Sequence, residues 1–299
     1  MLRKIAALVV CTLALCGTTL AQMPAPLFDK MLVFGDSLSD NGNLFTATDG
    51  QLLPPPYSNG RASNGEVWVE YLDDYLGVFM INNAYVGAQT GTGLKETPPS
   101  IAVPLELNQG DLRIPAIGTQ QQQYLLADQP TENSLVVIWG GANDIFFGQA
   151  NNDVSVKNIA QHIRKMAISG AETFLVPNMP PLDKTPYGVW SDLETQQILQ
   201  AVSIDFNWQL AMELDALEKE LGITIIQFDV YSLMSQVIND VIDNPGSHGF
   251  IDVTTPSYIY GPNPPEGFFF FDEVHPTTEA HKLLAEEACL KIMEELLSE

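Results

Sequence analysis

The chain has 299 residues, of which 45% are hydrophobic and 17% charged, and its formal net charge at pH 7 is −24. That apolar share supports a substantial core and excludes a disordered chain. The acidity argues against nucleic acid as a partner and against stable binding to anionic membranes, because like charges repel.

The first predicted element is a leader. Arg3 and Lys4 precede an apolar run over 5–15 that is broken only by Cys11 and Thr12. Thr19-Leu20-Ala21 then supplies small residues for cleavage. This order predicts a secretory signal peptide over 1–21, and so export to the periplasm or the exterior. The run is too short to span a bilayer. A buried N-terminal helix is the competing reading, and Leu13-Ala14-Leu15-Cys16 resembles a lipobox with a poor residue before the cleaved bond. Cleavage near Ala21 removes two of the three cysteines and leaves Cys289, so the mature chain forms no internal disulfide. It also removes two of the 13 basic residues and none of the 37 acidic ones, taking the charge to −26.

From Gln22 onward, strand and helix patterns alternate. Residues 31–34 form an apolar, β-rich run. Residues 46–64 are irregular and read as a long loop. Residues 65–76 have helical spacing, with Val67, Trp68, Tyr71, Leu72 and Tyr75 on one face. Phe79–Asn82 is a weaker strand. Residues 135–139 form the most hydrophobic strand, 154–169 a helix and 173–176 a strand. Residues 191–221 form a long helix, which Ser191 opens with Glu194 three positions on, a capping-box arrangement. Residues 223–228 form a strand, and 244–268 a second long loop. The helix over 277–297 places Ala280, Leu283, Leu284, Ala288 and Ile292 on one stripe, with Cys289 beside it as a core residue. Alternating strands and helices, with strands apolar throughout, predict a single α/β domain over 22–299. The expected architecture is a three-layer α/β/α sandwich with a parallel, flavodoxin-like sheet. In such sheets ligands bind beyond the carboxyl ends of the strands.

Four loops carry candidate chemistry. Ser37 follows the first strand in Gly35-Asp36-Ser37-Leu38-Ser39-Asp40-Asn41-Gly42-Asn43. A serine at the carboxyl edge of a sheet is a candidate nucleophile, and its N–H can stabilise an anion if a helix begins there. The plain alternative is a helix cap. A nucleophilic serine needs a base, and there are four histidines. His162 lies in a helical stretch beside Arg164 and Lys165 and is expected at the surface. His281 is expected off the core stripe of the last helix. His248 sits in a loop with no obvious partner. His275 follows the apolar run 268–271 and precedes Pro276, with Asp272 three positions before it. That spacing lets one turn carry a base and the carboxylate that orients it; the alternative is a helix-entry turn. Asn143, in Gly140-Gly141-Ala142-Asn143-Asp144, can donate to an oxyanion or belong to a plain turn. Gly87, in Asn82-Asn83-Ala84-Tyr85-Val86-Gly87-Ala88, allows close backbone approach to a substrate.

Together these blocks resemble the GDSL hydrolases of the SGNH superfamily, in family order and over most of the mature chain. The resemblance implies an ester hydrolase with Ser37 as nucleophile, Asp272 and His275 as acid and base, and Ser37, Gly87 and Asn143 as oxyanion donors. Val86 stands where related sequences often have a second glycine. Tyr57-Ser58-Asn59-Gly60-Arg61-Ala62-Ser63-Asn64-Gly65 and Gly249-Phe250-Ile251-Asp252-Val253-Thr254 resemble the bacterial branch of secreted phospholipases, lysophospholipases, lipid acyltransferases and thermolabile haemolysins. That branch implies a lipid or other small ester as substrate, with short-chain or carbohydrate acetylesterase and acyl transfer to a sterol as alternatives. The aromatic runs 268–271 and 258–260 read either as an acyl site or as core. No cofactor or metal is implied: the sequence holds no Gly-x-Ser-x-Gly elbow, no His-Glu-x-x-His motif and no phosphate-binding glycine loop.

Overall fold

Five apolar segments pair side by side in the computed structural model, which describes residues 27–96, 113–148, 151–261 and 264–297. The expected leader over 1–21, with Cys11 and Cys16, lies outside the described residues. In chain order the elements are β1 (Lys30–Gly35), α1 (Asn43–Ala47), α2 (Trp68–Leu76), β2 (Phe79–Asn82), β3 (Leu94–Glu96), β4 (Arg113–Pro115), α3 (Ile117–Ala127), β5 (Ser134–Trp139), α4 (Ala142–Phe146), α5 (Asn152–Ile168), β6 (Thr173–Pro177), α6 (Pro186–Trp190), α7 (Leu193–Leu221), β7 (Thr224–Phe228), α8 (Val230–Asp243) and α9 (Thr278–Leu297).

The main sheet runs β2-β1-β5-β6-β7, all parallel. With the small antiparallel ribbon β3–β4 set aside, this is the second-first-third-fourth-fifth order of a flavodoxin-like sheet. Alternate residues of each strand feed opposite cores. Met31, Val33, Leu135, Val137, Leu175 and Ile226 pack with residues of α2, α8 and α9. Leu32, Phe34, Val136, Ile138, Phe174 and Val176 pack with residues of α3, α5 and α7. Both faces are therefore covered, which is why all six residues of β5 are buried and no polar alternation shows in its sequence. This is the expected three-layer sandwich.

The order reverses between β1 and β5, since the chain goes first to one side and then to the other. Gly35 is level with Trp139 in the paired strands. The loops that leave these two strands therefore emerge together at the switch point, where such sheets hold ligands. Gly35 is required there, because a Cβ would lie 2.7 Å from the Trp139 carbonyl oxygen.

Several expectations are corrected. The long helix starts at Leu193, and Asp192 caps it by accepting from the Thr195 N–H at 2.8 Å. Ser191 instead ends α6, its hydroxyl donating to the Tyr187 carbonyl at 2.7 Å. His162 is buried rather than on the surface, with Nε2 on the Thr90 carbonyl, and burial lowers its pKa. His281 is fully buried, and burial pushes its pKa down to about 3, so it is neutral. His248 does have a partner, Asp240 Oδ2 at 2.8 Å, on α8. Helices α3 and α8 and the ribbon β3–β4 were not expected. The core face of α3 includes Gln120 and Gln121, so it lacks an apolar period. In α8 the buried positions Val230, Met234, Val237, Ile238 and Val241 do follow helical spacing.

Candidate active site

Ser37 lies in the turn that leaves β1. No helix begins at Ser37. A single turn closes instead, with the N–H groups of Ser39 and Asp40 donating to the Asp36 carbonyl at 3.1 and 3.0 Å. α1 starts six residues later, so Ser37 is not its cap. The turn aims the hydroxyl at His275, whose Nε2 lies 2.8 Å from Ser37 Oγ. On the other side of the ring, Nδ1 lies 2.7 Å from Asp272 Oδ2 and 2.9 Å from Oδ1. The Val274 and His275 N–H groups also donate to Asp272 Oδ1, at 2.9 and 2.7 Å. One turn thus carries both residues, as the three-residue spacing predicts. Ser37 is 8% exposed, His275 7% and Asp272 2%, so contact with solvent falls as the chain of hydrogen bonds goes inward.

This last loop does not follow a strand of the sheet. The aromatic run before it makes isolated bridges, Asp252 to Phe268 and Phe270 to Pro276. Phe268, Phe269, Phe270 and Phe271 are all buried. None of them lines the site cavity, and neither do residues 258–260. The phenylalanine run is core rather than an acyl site: Phe269 and Phe270 stack edge to face within it, whereas Ile259 and Tyr260 are exposed, with Tyr260 packed on Phe268.

Gly87 closes a turn in which the Ala88 N–H donates to the Tyr85 carbonyl at 3.0 Å. Its φ is 81°, a conformation that favours glycine at the third position of a turn. Val86 precedes it, and its N–H donates to Asp40 Oδ2 at 2.9 Å. Among the described residues, no protein acceptor meets the N–H of Ser37 or of Gly87. Asn143 is in the first turn of α4, and its amide donates to the Ala88 carbonyl at 3.1 Å and to Asp36 Oδ2 at 3.3 Å. The five residues singled out from the sequence are therefore gathered around one cavity of about 320 Å³, lined on its apolar side by Trp139, Phe146, Phe147, Leu182, Tyr187 and Met234.

Burial and charge shape the titration of the site. Burial opposes ionisation of Asp272, but the attraction of His275 and the hydrogen bonds from its ring and from the Val274 and His275 N–H groups outweigh it and hold the carboxyl below its usual range. Burial also opposes charge on His275, and the Asp272 carboxylate outweighs it, with Asp36 and Glu273 adding to the upward shift. Asp36, fully enclosed, is pushed up to about 7, chiefly by burial.

Two carboxylates that sequence reasoning passed over tie the loops together. Asp40 accepts from the N–H groups of Gly42, Asn43 and Val86 and so joins the Ser37 loop to the Gly87 loop. Asp144 accepts from the N–H and hydroxyl of Thr90 and from Ser155, joining the Gly87 loop to α4 and α5. Both belong to quoted motifs, but their role depends on which loops meet in space.

The sequence profile described as GDSL-like Lipase/Acylhydrolase matches residues 31–288. The chain belongs to this family. It is a carboxylic ester hydrolase of the GDSL type. The phosphatidylcholine-sterol acyltransferase of Aeromonas hydrophila is 26% identical, over 93% of this chain and 95% of the relative. A thermolabile hemolysin of Vibrio parahaemolyticus is 27% identical over 89% of this chain, which spans 64% of that relative's length. An acetylesterase of Thermothelomyces thermophilus is 27% identical, over 86% of this chain and 85% of the relative. Among solved structures, a G-D-S-L lipolytic protein from Veillonella parvula superposes with a TM-score of 0.50 at 17% identity, over 87% of this chain and 95% of the other. That likeness supports the GDSL fold alone.

Proposed function

We propose that this GDSL hydrolase is an exported serine esterase that cleaves lipid esters of the lysophospholipase or phospholipase A type. The observation that carries the reading is the chain of hydrogen bonds from Ser37 through His275 to Asp272 in the wall of an apolar cavity. His275 Nε2 takes the proton of Ser37 as Oγ attacks the ester carbonyl carbon. Asp272 holds the ring and stabilises the imidazolium that forms. The electron pair of the carbonyl moves to its oxygen, which the N–H groups of Ser37 and Gly87 and the amide of Asn143 stabilise. The long bond from Asn143 to Asp36 is the one exchanged for the oxyanion, since hydrogen bonds at that distance are weak. His275 then gives its proton to the leaving alcohol, and water, deprotonated in turn by His275, releases the acid.

The apolar walls and the acyltransferase relative, named for phosphatidylcholine, favour a lipid acyl group. The acetylesterase relative favours a second reading, release of acetate from short or carbohydrate esters. Acyl transfer to a sterol is a third outcome of the same acyl-enzyme, decided by whether alcohol or water reaches it. The leader over 1–21 exports the rest of the chain, which acts as one domain from Gln22; N-terminal sequencing of the exported protein tests this.

The test of the nucleophile is a Ser37→Ala protein assayed on short p-nitrophenyl esters. Turnover should fall by about 10⁴ or more, and retained turnover removes Ser37 from the role. The substrate is tested by comparing fatty acid released from lysophosphatidylcholine and diacyl phospholipid with acetate released from acetylated sugar. Dominant acetate release overturns the lipid assignment.

A further inference from the structure

The geometry points to Tyr57 as a positioning residue for the base, held by a strap over 57–66 that clamps the loop carrying Asp272 and His275. The inference rests on the reading of that pair given above. The Tyr57 hydroxyl donates to Asp272 Oδ2 at 3.0 Å. This is the carboxylate oxygen nearer to the imidazole, at 2.7 Å from Nδ1. The Tyr57 ring meets Phe271 edge to face, with centroids 5.2 Å apart, and packs on a cluster that includes Leu52, Leu53 and Val86.

The rest of the strap grips the same loop further along. The Ser63 hydroxyl donates to the Pro276 carbonyl at 2.9 Å. The Thr278 N–H donates to Asn64 Oδ1 at 2.8 Å, and the Thr278 hydroxyl to the Glu66 carbonyl at 2.9 Å. Gly65 lies so close that a Cβ there would meet Thr278 Oγ1 at 2.6 Å. The strap is itself anchored by a two-pronged ion pair between Arg61 and Glu70, at 2.7 and 2.6 Å, on α2. Residues more than 200 positions apart in sequence are thus laced along both sides of the base loop.

The hydroxyl has one available role. Burial first, and the neighbouring Asp272 carboxylate second, push the Tyr57 pKa up, so the phenol stays protonated and donates throughout the working pH range. Its donation neutralises part of the charge on Oδ2. That charge is what draws the proton to His275. Tyr57 therefore limits the basicity of His275 and fixes the carboxylate plane that orients the ring. The other groups facing the ring are Asp36, Glu273 and the neutral His281, with Tyr258 donating to Glu273. A Tyr57→Phe protein keeps all of them and keeps the ring packing.

The experiment is a titration of His275 by NMR in the parent, Tyr57→Phe and Ser63→Ala proteins, paired with turnover. Without the hydroxyl, the His275 midpoint should rise by roughly 0.5–1 on the pH scale. Turnover on the plateau should fall roughly 2–10-fold. KM should hold, since Tyr57 does not line the cavity. Ser63→Ala, which loosens the strap without touching Asp272, should leave the midpoint in place. A midpoint that does not move in Tyr57→Phe overturns the inference, as does one that moves equally in Ser63→Ala. The titration is read on the imidazole, so its outcome is separate from whether Ser37 is the nucleophile.

Discussion

Asn143 and Asp36 share a hydrogen bond of 3.3 Å but answer to different physics. In the proposed mechanism the first is a donor whose value lies in the transition state. Replacing it in Asn143→Ala should lower kcat by about 10²–10³ with KM little changed. A loss below tenfold on p-nitrophenyl esters would remove it from the oxyanion role. Asp36 is a stability matter. Its pKa rises from 3.8 to about 7 because burial disfavours its charge. The folded state therefore holds a proton that the unfolded chain releases between those values. Stability from this group is highest below pH 3.8 and declines as pH rises towards 7, by at most about 1.4 kcal/mol per pH unit. Urea melts across that window should show the decline in the parent and a shallower one in Asp36→Asn. At this scale the sequence was informative wherever a motif named the residue. It was silent on Asp40, Asp144 and Tyr57, whose partners come from remote loops.

Helix ends illustrate how local signals compete. Ser191-Asp192 offers two capping residues in succession, and Ser191 with Glu194 has capping-box spacing. In the structure α6 stops just before, and its last carbonyls need donors. Ser191 serves that helix, which leaves Asp192 to cap α7. Asp192→Ala should lower the midpoint of a thermal or urea melt, and Ser191→Ala should lower it less. Equal shifts would argue for the Ser191 cap. Strands β1, β5, β6 and β7 were legible to within a residue or so, because apolar runs buried on both faces leave an unbroken signal. Helix α3 was not, because Gln120 satisfies backbone groups around Gly35 and Gln121 is buried beside it, so polar residues occupy core positions.

Charge acts over the whole molecule. With a net charge of −24, the protein should not be retained on anionic vesicles at low salt, whereas zwitterionic vesicles carry no such repulsion. Co-sedimentation with the two kinds of vesicle tests this, and retention on the anionic ones would contradict it. Among the described residues no helix is long and apolar enough to cross a membrane. A second cavity of about 360 Å³ lies among α7, α8 and the edge strand β7 and holds none of the site residues. The candidate site is instead at the switch point between β1 and β5, where strand order, not cavity size, brings the loops together.

The sequence by itself determined the layered class of the fold and the strands of the main sheet, and it singled out Ser37, Gly87, Asn143, Asp272 and His275 as candidates, because each depends on local pattern or on a short motif. Tertiary structure alone decided that the aromatic run before His275 is core, that His162 and His281 are buried, and that Tyr57 reaches Asp272. These are facts of contact between segments far apart in the chain. Hydrophobic periodicity records which face of an element is buried. It carries no record of which remote side chain meets it there.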